Sequence, residues 1–325
     1  MSESTPARHL NHTRRDFSRL VAALAAGAAG QSLLADPAST GVPPIGVLLG
    51  TTYTMGTLEE RLDRAKASGF DCVQMAMNCV GLPEMPDQIP ASLPGRMRRT
   101  AVERNIKIAS ITGTFNMAHP DPAERKTGLQ HLRVIAESCA GMGTSYIHIC
   151  TGTRNTKSMW APHPDNDLPD TWKDMAACVR EAAEIARQAN VILGFEPEVG
   201  NVVDSARKAR RIMDETGSPH LKVTLDPSNL FHTGELPRMK EILDEAFALV
   251  GKDIVMTHAK DVDQDGAAGH LPAGKGKMDY AHFMRLLVAY KYKGPILLHG
   301  LTEHQVPECL AFIREKRDSA VRSAS

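Results

Sequence analysis

The stretch VILGFEPEVGNVVDSARKARRIMDETGSPHLKVTLDPSN, residues 191–229, contains one complete strand–helix–strand unit. Val191–Phe195 is a short apolar run, and Asp204-Ser205 offers a helix start. Ala206–Glu215 carries a helical pattern that Gly217 ends, and Leu221–Leu225 is a second apolar run. Strands apolar on both faces and joined through a helix imply a parallel βαβ unit, because the crossover helix covers the sheet that it connects.

The unit recurs in both directions. Further apolar runs are Ile45–Leu49, Cys72–Met77, Ile106–Ile111, Tyr146–Cys150, Ile254–Thr257 and Pro295–His299, making eight candidate strands. Helical patterns separate most of them, at Leu58–Ser68, Pro122–Ala140, Thr171–Ala189, Met239–Val250 and Tyr280–Ala289, with a last one near Val306–Lys316. Asp170-Thr171 is a second plausible helix start, and Gly69 and Gly143 fall where helices should end. Eight such units predict an α/β fold, a parallel (β/α)8 TIM barrel forming a single domain over residues 45–325. The 325-residue chain is ample for this, since such barrels need about 250 residues. An open doubly wound sheet would show a glycine-rich phosphate turn after its first strand, and Gly50 to Gly56 matches no such fingerprint. Gly274-Lys275-Gly276 lies outside any strand-to-helix context and reads as a loop.

With 42% hydrophobic and 23% charged residues, the chain has the composition of a globular domain. Lysine plus arginine and aspartate plus glutamate are equal at 38 each, so there is no basic excess to attract a phosphate backbone, and nucleic acid is not an expected partner. The amino terminus reads as an address: Arg14-Arg15-Asp16-Phe17 precedes an alanine-rich run from Leu20 to Leu34, the pattern of a twin-arginine export signal. Residues 1–35 are therefore expected to be a signal segment and 36–44 a linker, with the barrel placed outside the cytoplasm, in a periplasmic or comparable space. The alternative is an amphipathic surface helix. The run is too short for a stable membrane span, which takes about 20 apolar residues. Six cysteines show neither a CxxC pair nor zinc-ribbon spacing, and Cys72, Cys150, Cys178 and Cys309 read as small core residues.

In a parallel barrel the reactive face lies at the C-terminal ends of the strands, where the βα loops converge. From the fifth run onward those ends turn polar. Phe195 is followed by Glu196-Pro197-Glu198, Leu225 by Asp226-Pro227-Ser228-Asn229, Thr257 by His258-Ala259-Lys260-Asp261, and Leu298 by His299-Gly300. Four consecutive strands thus deliver Glu196, Asp226, His258 and His299 to one rim. Two carboxylates and two imidazoles suit a divalent metal such as Mn, Zn, Co or Fe. One such residue alone would more often be a helix cap or a satisfied buried polar group; the recurrence carries the expectation.

With these strand ends, the chain resembles the sugar phosphate isomerase/epimerase branch of the xylose isomerase-like barrels, a group that also holds inosose dehydratases, ketose 3-epimerases and, more distantly, endonuclease IV. The resemblance spans about residues 45–316 and includes Gly113-Thr114-Phe115-Asn116-Met117-Ala118-His119-Pro120, Cys150-Thr151-Gly152-Thr153-Arg154 and Met159-Trp160-Ala161-Pro162-His163-Pro164-Asp165-Asn166. It implies a metal-dependent isomerase or epimerase acting on a sugar, keto-sugar or polyol through an enediolate. Many relatives end the eighth strand with a glutamate that binds the metal and moves a proton, whereas this chain has His299, and a metal-bound imidazole is a poor general base.

A substitute base is Glu198, which shares the strand parity of Glu196 if the strand runs that far; otherwise it is a solvated loop acid. Glu303 is the other candidate. Lys260, with the parity of His258, can donate to an oxyanion or pair with Asp261. His119, Arg154, Trp160 and His163, on the loops after the third and fourth runs, are candidate substrate contacts, with the indole offering a face to a sugar. The alternative activities are elimination, by a lyase or dehydratase acting on a keto-sugar or 3-keto-glycoside; a noncatalytic sugar-binding barrel; and a multi-metal nuclease, for which the rim holds too few ligands. A homo-oligomer stays open.

Overall fold

The computed structural model describes residues 42–324. The expected export segment and nearly all of the linker lie outside them. Eight strands close into a parallel barrel: β1 (Ile45–Leu48), β2 (Cys72–Met75), β3 (Lys107–Thr112), β4 (Tyr146–Cys150), β5 (Ile192–Glu196), β6 (Leu221–Leu225), β7 (Ile254–Asp261) and β9 (Ile296–Leu298). The hydrogen-bonded order is β6-β5-β4-β3-β2-β1-β9-β7, and β6 pairs with β7 to complete the ring. The short β8 (Leu271–Pro272) adds antiparallel to β7, through Lys260↔Pro272 and Asp261↔Leu271. The reading of one TIM barrel therefore holds. Among the described residues, no helix is long and apolar enough to cross a membrane.

Side-chain alternation sorts each strand into two sets. Ile45, Val47, Val73, Met75, Ile147, Ile149, Leu193, Phe195, Val223, Leu225, Ile296 and Leu298 face outward into one continuous core shared with the helices. The inward set is layered along the barrel axis. Leu48, Cys72, Met256 and Leu297 form a separate apolar cluster inside the ring. Gly46 is part of that floor: a Cβ there would stand 2.4 Å from the Cys72 carbonyl oxygen and 2.7 Å from Leu297. Two residues further along the same strands come Gln74, His258 and His299, so the barrel changes from apolar to polar within one pleat repeat.

The expected helix boundaries fit closely. Leu58–Ser68, Met239–Val250 and Tyr280–Ala289 match throughout. Thr57 and Glu60 form a reciprocal cap at the first of these, and Gly69, Gly143 and Gly217 close helices in the left-handed region with φ of 94°, 81° and 62°. Ser205 caps Ala206–Thr216 by accepting from Lys208 N at 3.4 Å. Several features differ. A helix at Leu93–Glu103 was not anticipated, because Pro94 and Gly95 in its first turn mask a buried face of Leu93, Met97 and Ala101. The helix expected from Thr171 begins at Pro169. The strand expected to stop at Thr257 runs to Asp261, since β8 pairs with its last two residues. All six cysteines are buried free thiols.

Candidate metal and sugar site

The polar layer is carried within or just after six strands, β2, β4, β5, β6, β7 and β9. Glu196 is the last residue of β5 and Asp226 follows β6, where its carboxylate caps the next turn: Ser228 N and Ser228 Oγ both donate to Asp226 Oδ1, at 3.0 and 2.7 Å. His258 and Lys260 lie within β7, and His299 follows β9. Glu196, Asp226, His258 and Lys260 are buried, while His299 is partly exposed at the mouth.

Potential ligand atoms form two groups that share His258. One comprises His148, Glu196 and His258, the other Asp226, His258 and His299, and within each the atoms lie no more than 4.8 Å apart. His148 Nε2 stands 3.3 Å from Glu196 Oε2, and His258 Nδ1 stands 3.5 Å from Glu196 Oε1. Two donors about 2.1 Å from one ion at a tetrahedral angle would be separated by about 3.4 Å, so these spacings suit a common ion. Buried Nδ1 atoms of His148, His258 and His299 make no hydrogen bond, nor does Asp226 Oδ2, whose neighbour is the Lys260 ammonium at 3.4 Å. Unpaired buried donors and acceptors are costly unless something binds them, and this set of nitrogen and oxygen atoms fits a divalent cation.

The electrostatics favour ligand forms. Burial holds the imidazole of His148 below its usual value, with His258 and Lys260 adding to the effect against Glu196. His299 is held well below by burial, then by Lys260 and His258. Neutral imidazoles can donate a lone pair. Burial opposes ionisation of Glu196, yet His258 and His148 outweigh it and keep this carboxyl well below the ordinary range. Its neighbour goes the other way: burial, then the charge of Glu196, pushes Glu198 up to about 8 against the pull of Lys260. Burial also opposes the charge on Lys260, but Asp226, Glu196 and Glu198 more than compensate and raise it.

Glu198 reaches this place by a route the strand pattern did not supply. β5 ends at Glu196, and Glu198 sits in a tight turn in which Glu198 N donates to Val203 O at 3.1 Å and Asn201 N to Glu198 O at 2.8 Å. The side chain is nevertheless buried beside Glu196, and Asn229 joins the two. Asn229 Nδ2 donates to Glu196 Oε1 at 2.8 Å and approaches Glu198 Oε2 at 3.4 Å, while Asn229 Oδ1 accepts from Gly269 N at 3.0 Å. Lys260 pairs with Asp226, and Asp261 is occupied elsewhere: its carboxylate accepts from the backbone of Val262, Gly274 and Met278 at 2.8–2.9 Å. Glu303 stands 3.5 Å from Arg64 on the exposed surface, away from the glutamates.

The loop residues form a wall. Arg154 donates to Thr171 Oγ1 at 2.8 Å, Asp174 Oδ2 at 2.7 Å and Ala118 O at 3.2 Å, so its guanidinium braces the loops after β3 and β4. His119 and His163 each accept a backbone N–H two residues on, from Asp121 and Asp165 at 3.2 Å, and so cap turns. Trp160 is 44% exposed, and its carbonyl oxygen lies against Gly200, two residues from Glu198. Asparagines stitch the wall together: Asn116 Oδ1 accepts from Thr153 N at 2.9 Å, Asn166 Nδ2 donates to Gly200 O at 3.1 Å, and Asn201 Oδ1 accepts from Gly152 N at 2.7 Å.

Sequence reasoning missed His148, Gln74 and Asn229. His148 and Gln74 interrupt apolar strands at inward parity, a signal present in Tyr146–Cys150 and Cys72–Met75. Asn229 carried no comparable mark.

The family model described as xylose isomerase-like TIM barrel matches residues 62–316. Among curated proteins, L-ribulose-5-phosphate 3-epimerase UlaE of Escherichia coli K12 is 25% identical over 253 residues, covering 75% of this chain and 82% of its own. Among solved structures, a D-tagatose 3-epimerase-like protein superposes with a TM-score of 0.69 at 14% identity, covering 87% of this chain and all of its own. The apo form of 3-keto-D-glucoside 4-epimerase YcjR from E. coli gives 0.64 at 16%, covering 84% and 99%. Its distant homologues are sugar epimerases, and the chain itself belongs to the xylose isomerase-like TIM barrel family.

Proposed function

We propose that the protein is a metal-dependent epimerase or isomerase of a sugar or keto-sugar, moving a proton at the carbon next to a carbonyl by way of an enediolate. One observation carries the proposal: two carboxyl groups share the amide of Asn229 yet differ in ionisation, Glu196 held as a carboxylate and Glu198 held protonated up to about 8. Neighbouring acids whose surroundings split them in this way divide the tasks of binding and proton transfer. Glu196, Asp226, His258 and His299 would hold the ion, with His148 beside them. A divalent cation in that shell would supply positive charge against a developing oxyanion and lower the cost of removing the neighbouring proton.

The other steps belong to the chain. Glu198 takes the proton from carbon in its carboxylate form and returns it in its acid form, Lys260 donates to the oxyanion, and burial of both keeps bulk water from competing. Trp160 offers the sugar an apolar face at the mouth. The carbohydrate class draws support from the relatives, whose names are those of ketose epimerases. A sugar or keto-sugar without a phosphate fits the expected export.

His299 favours a second reading. With a histidine where a second carboxyl would complete a two-base epimerase, Glu198 is left as the one proton-transfer carboxyl, and one suffices for elimination from a keto-sugar or 3-keto-glycoside. As carboxylate it takes the proton beside the carbonyl, the carbon–oxygen bond one carbon further breaks, and as acid it protonates the departing oxygen. Proton NMR in deuterated water separates the two. Protein loaded with Mn(II) or Zn(II) is given a panel of ketoses, ketose phosphates and 3-keto-glycosides. Deuterium at the epimerised carbon supports the first reading and an unsaturated product the second. Neither turnover nor solvent exchange across the panel would overturn both and leave a sugar-binding barrel.

A further inference from the structure

We infer that Gln74 is a positioning residue that fixes the tautomer of His258, and so determines that Nδ1 is the nitrogen this imidazole presents to the carboxylates. The inference rests on the reading of His258 as a metal ligand. Gln74 lies on β2, across the barrel from β7 in sequence but beside His258 in the lumen, and is 2% exposed. His258 Nε2 is 3.0 Å from Gln74 Oε1, and Gln74 Nε2 donates to Thr112 Oγ1 at 3.0 Å.

A neutral imidazole has one N–H and one lone pair. With the amide oxygen facing Nε2, that nitrogen carries a hydrogen whether the ring is neutral or cationic, and Nδ1, 3.5 Å from Glu196 Oε1, is the nitrogen left to give its lone pair to an ion. The reverse tautomer would put a hydrogen on Nδ1, aimed at Glu196, and would close the position to a cation. It would also require the amide to turn, setting the Gln74 NH2 against His258 and its oxygen against the Thr112 hydroxyl. A glutamine does this without adding a charge. A carboxylate at residue 74 would accept the same bond but add a third negative charge to a buried site that already holds Glu196 and Asp226. Ligating histidines commonly have their second nitrogen held by such an acceptor, and its loss typically weakens the metal 10–100-fold.

Three proteins test this: wild type, Gln74→Met, which keeps the length of the side chain and removes the acceptor, and Gln74→Glu, which restores an acceptor. Long-range ¹H–¹⁵N spectra of the metal-free, histidine-labelled proteins report which ring nitrogen of His258 is protonated, the signals being assigned by their loss in His258→Gln. Chelator competition gives the affinity for Zn(II) and Mn(II). In the wild type, Nε2 should be the protonated nitrogen. Gln74→Met should give a mixture of tautomers and a roughly 10–100-fold loss of affinity. Gln74→Glu should restore the Nε2–H tautomer.

A wild type whose neutral ring carries its hydrogen on Nδ1 overturns the inference, whatever the variants do. So does a folded Gln74→Met protein with an unchanged tautomer and unchanged affinity. If the wild type binds no ion, the proposed function fails, while the tautomer spectra still decide the role of Gln74.

Discussion

Glu196 and Glu198 are two residues apart and have opposite electrical surroundings, so the same substitution should do different things to them. Glu196→Gln removes a charge that His148 and His258 face, and is expected to reduce metal affinity and activity together. Glu198→Gln should leave the metal in place and remove exchange of the substrate proton with solvent, at a loss of roughly 10²–10⁴ in rate. Equilibrium dialysis with the metal and deuterium incorporation by NMR read the two effects; normal exchange with full metal occupancy in Glu198→Gln would rule that residue out as the base. At this scale, the sequence showed the residues that follow apolar runs and hid those that depend on a fold-level neighbour. Glu196, Asp226, His258 and His299 each follow an apolar run and could be read from position alone. Gln74 means nothing until β2 and β7 are seen to face one lumen, and Asn229 only once a turn has brought Glu198 back beside Glu196.

At the level of elements, the helices were legible where a cap, a stripe and a closing glycine agreed, as at Leu58–Ser68. The helix at Leu93–Glu103 was not, because its first turn is written in residues that normally interrupt one. β7 was read four residues short because its extension is polar and depends on pairing, of His258 and Ala259 with β9 and of Lys260 and Asp261 with a two-residue strand. A titratable group joins two of these elements. His232, in the loop after β6, lies 3.6 Å from Asp204, which precedes the helix Ala206–Thr216, and 3.1 Å from Glu235. The hydrogen bond with Asp204 is the main cause of its raised pKa, burial opposing it. A raised folded-state pKa means that the stabilisation is full below the unfolded value of about 6.5 and disappears as pH rises through the folded one. His232→Asn should therefore lower stability by about 0.5 kcal/mol in mildly acidic buffer, since the side chain is 43% exposed, and by nothing measurable in alkaline buffer. Urea midpoints across this pH range check the sign; equal losses at both ends would mean that the pair contributes no charge-dependent stability.

For the molecule as a whole, the count of apolar runs, with no glycine-rich phosphate turn after the first, favoured the closed barrel over an open doubly wound sheet. What the count could not give is the division of the lumen into an apolar floor and a polar upper layer, which follows from register. The destination of the protein is a separate matter, since the segment with Arg14 and Arg15 lies outside the described residues. If that pair is a receptor-read signal, replacing both with lysine should retain the precursor in the cytoplasm with its fold intact. Fractionation and a melting curve of the retained protein measure both; unchanged export would refute the twin-arginine reading.

The asparagine stitching around Gly152 and Gly200 has a consequence for how such a protein can change its diet. The residues proposed to hold an ion are borne on strands, or within a residue of them, and are fixed by the barrel itself. The wall at residues 151–168 is fastened to its neighbours by side-chain bonds, those of Asn116, Asn166 and Asn201 and those of Arg154 among them. Under the proposed function, chemistry and sugar preference therefore fall on different parts of the chain, one costly to alter and the other open to exchange. Grafting the corresponding loop of a related barrel between Thr151 and Leu168, with Asn166 kept, should change which sugar is turned over while leaving the affinity for metal as it was.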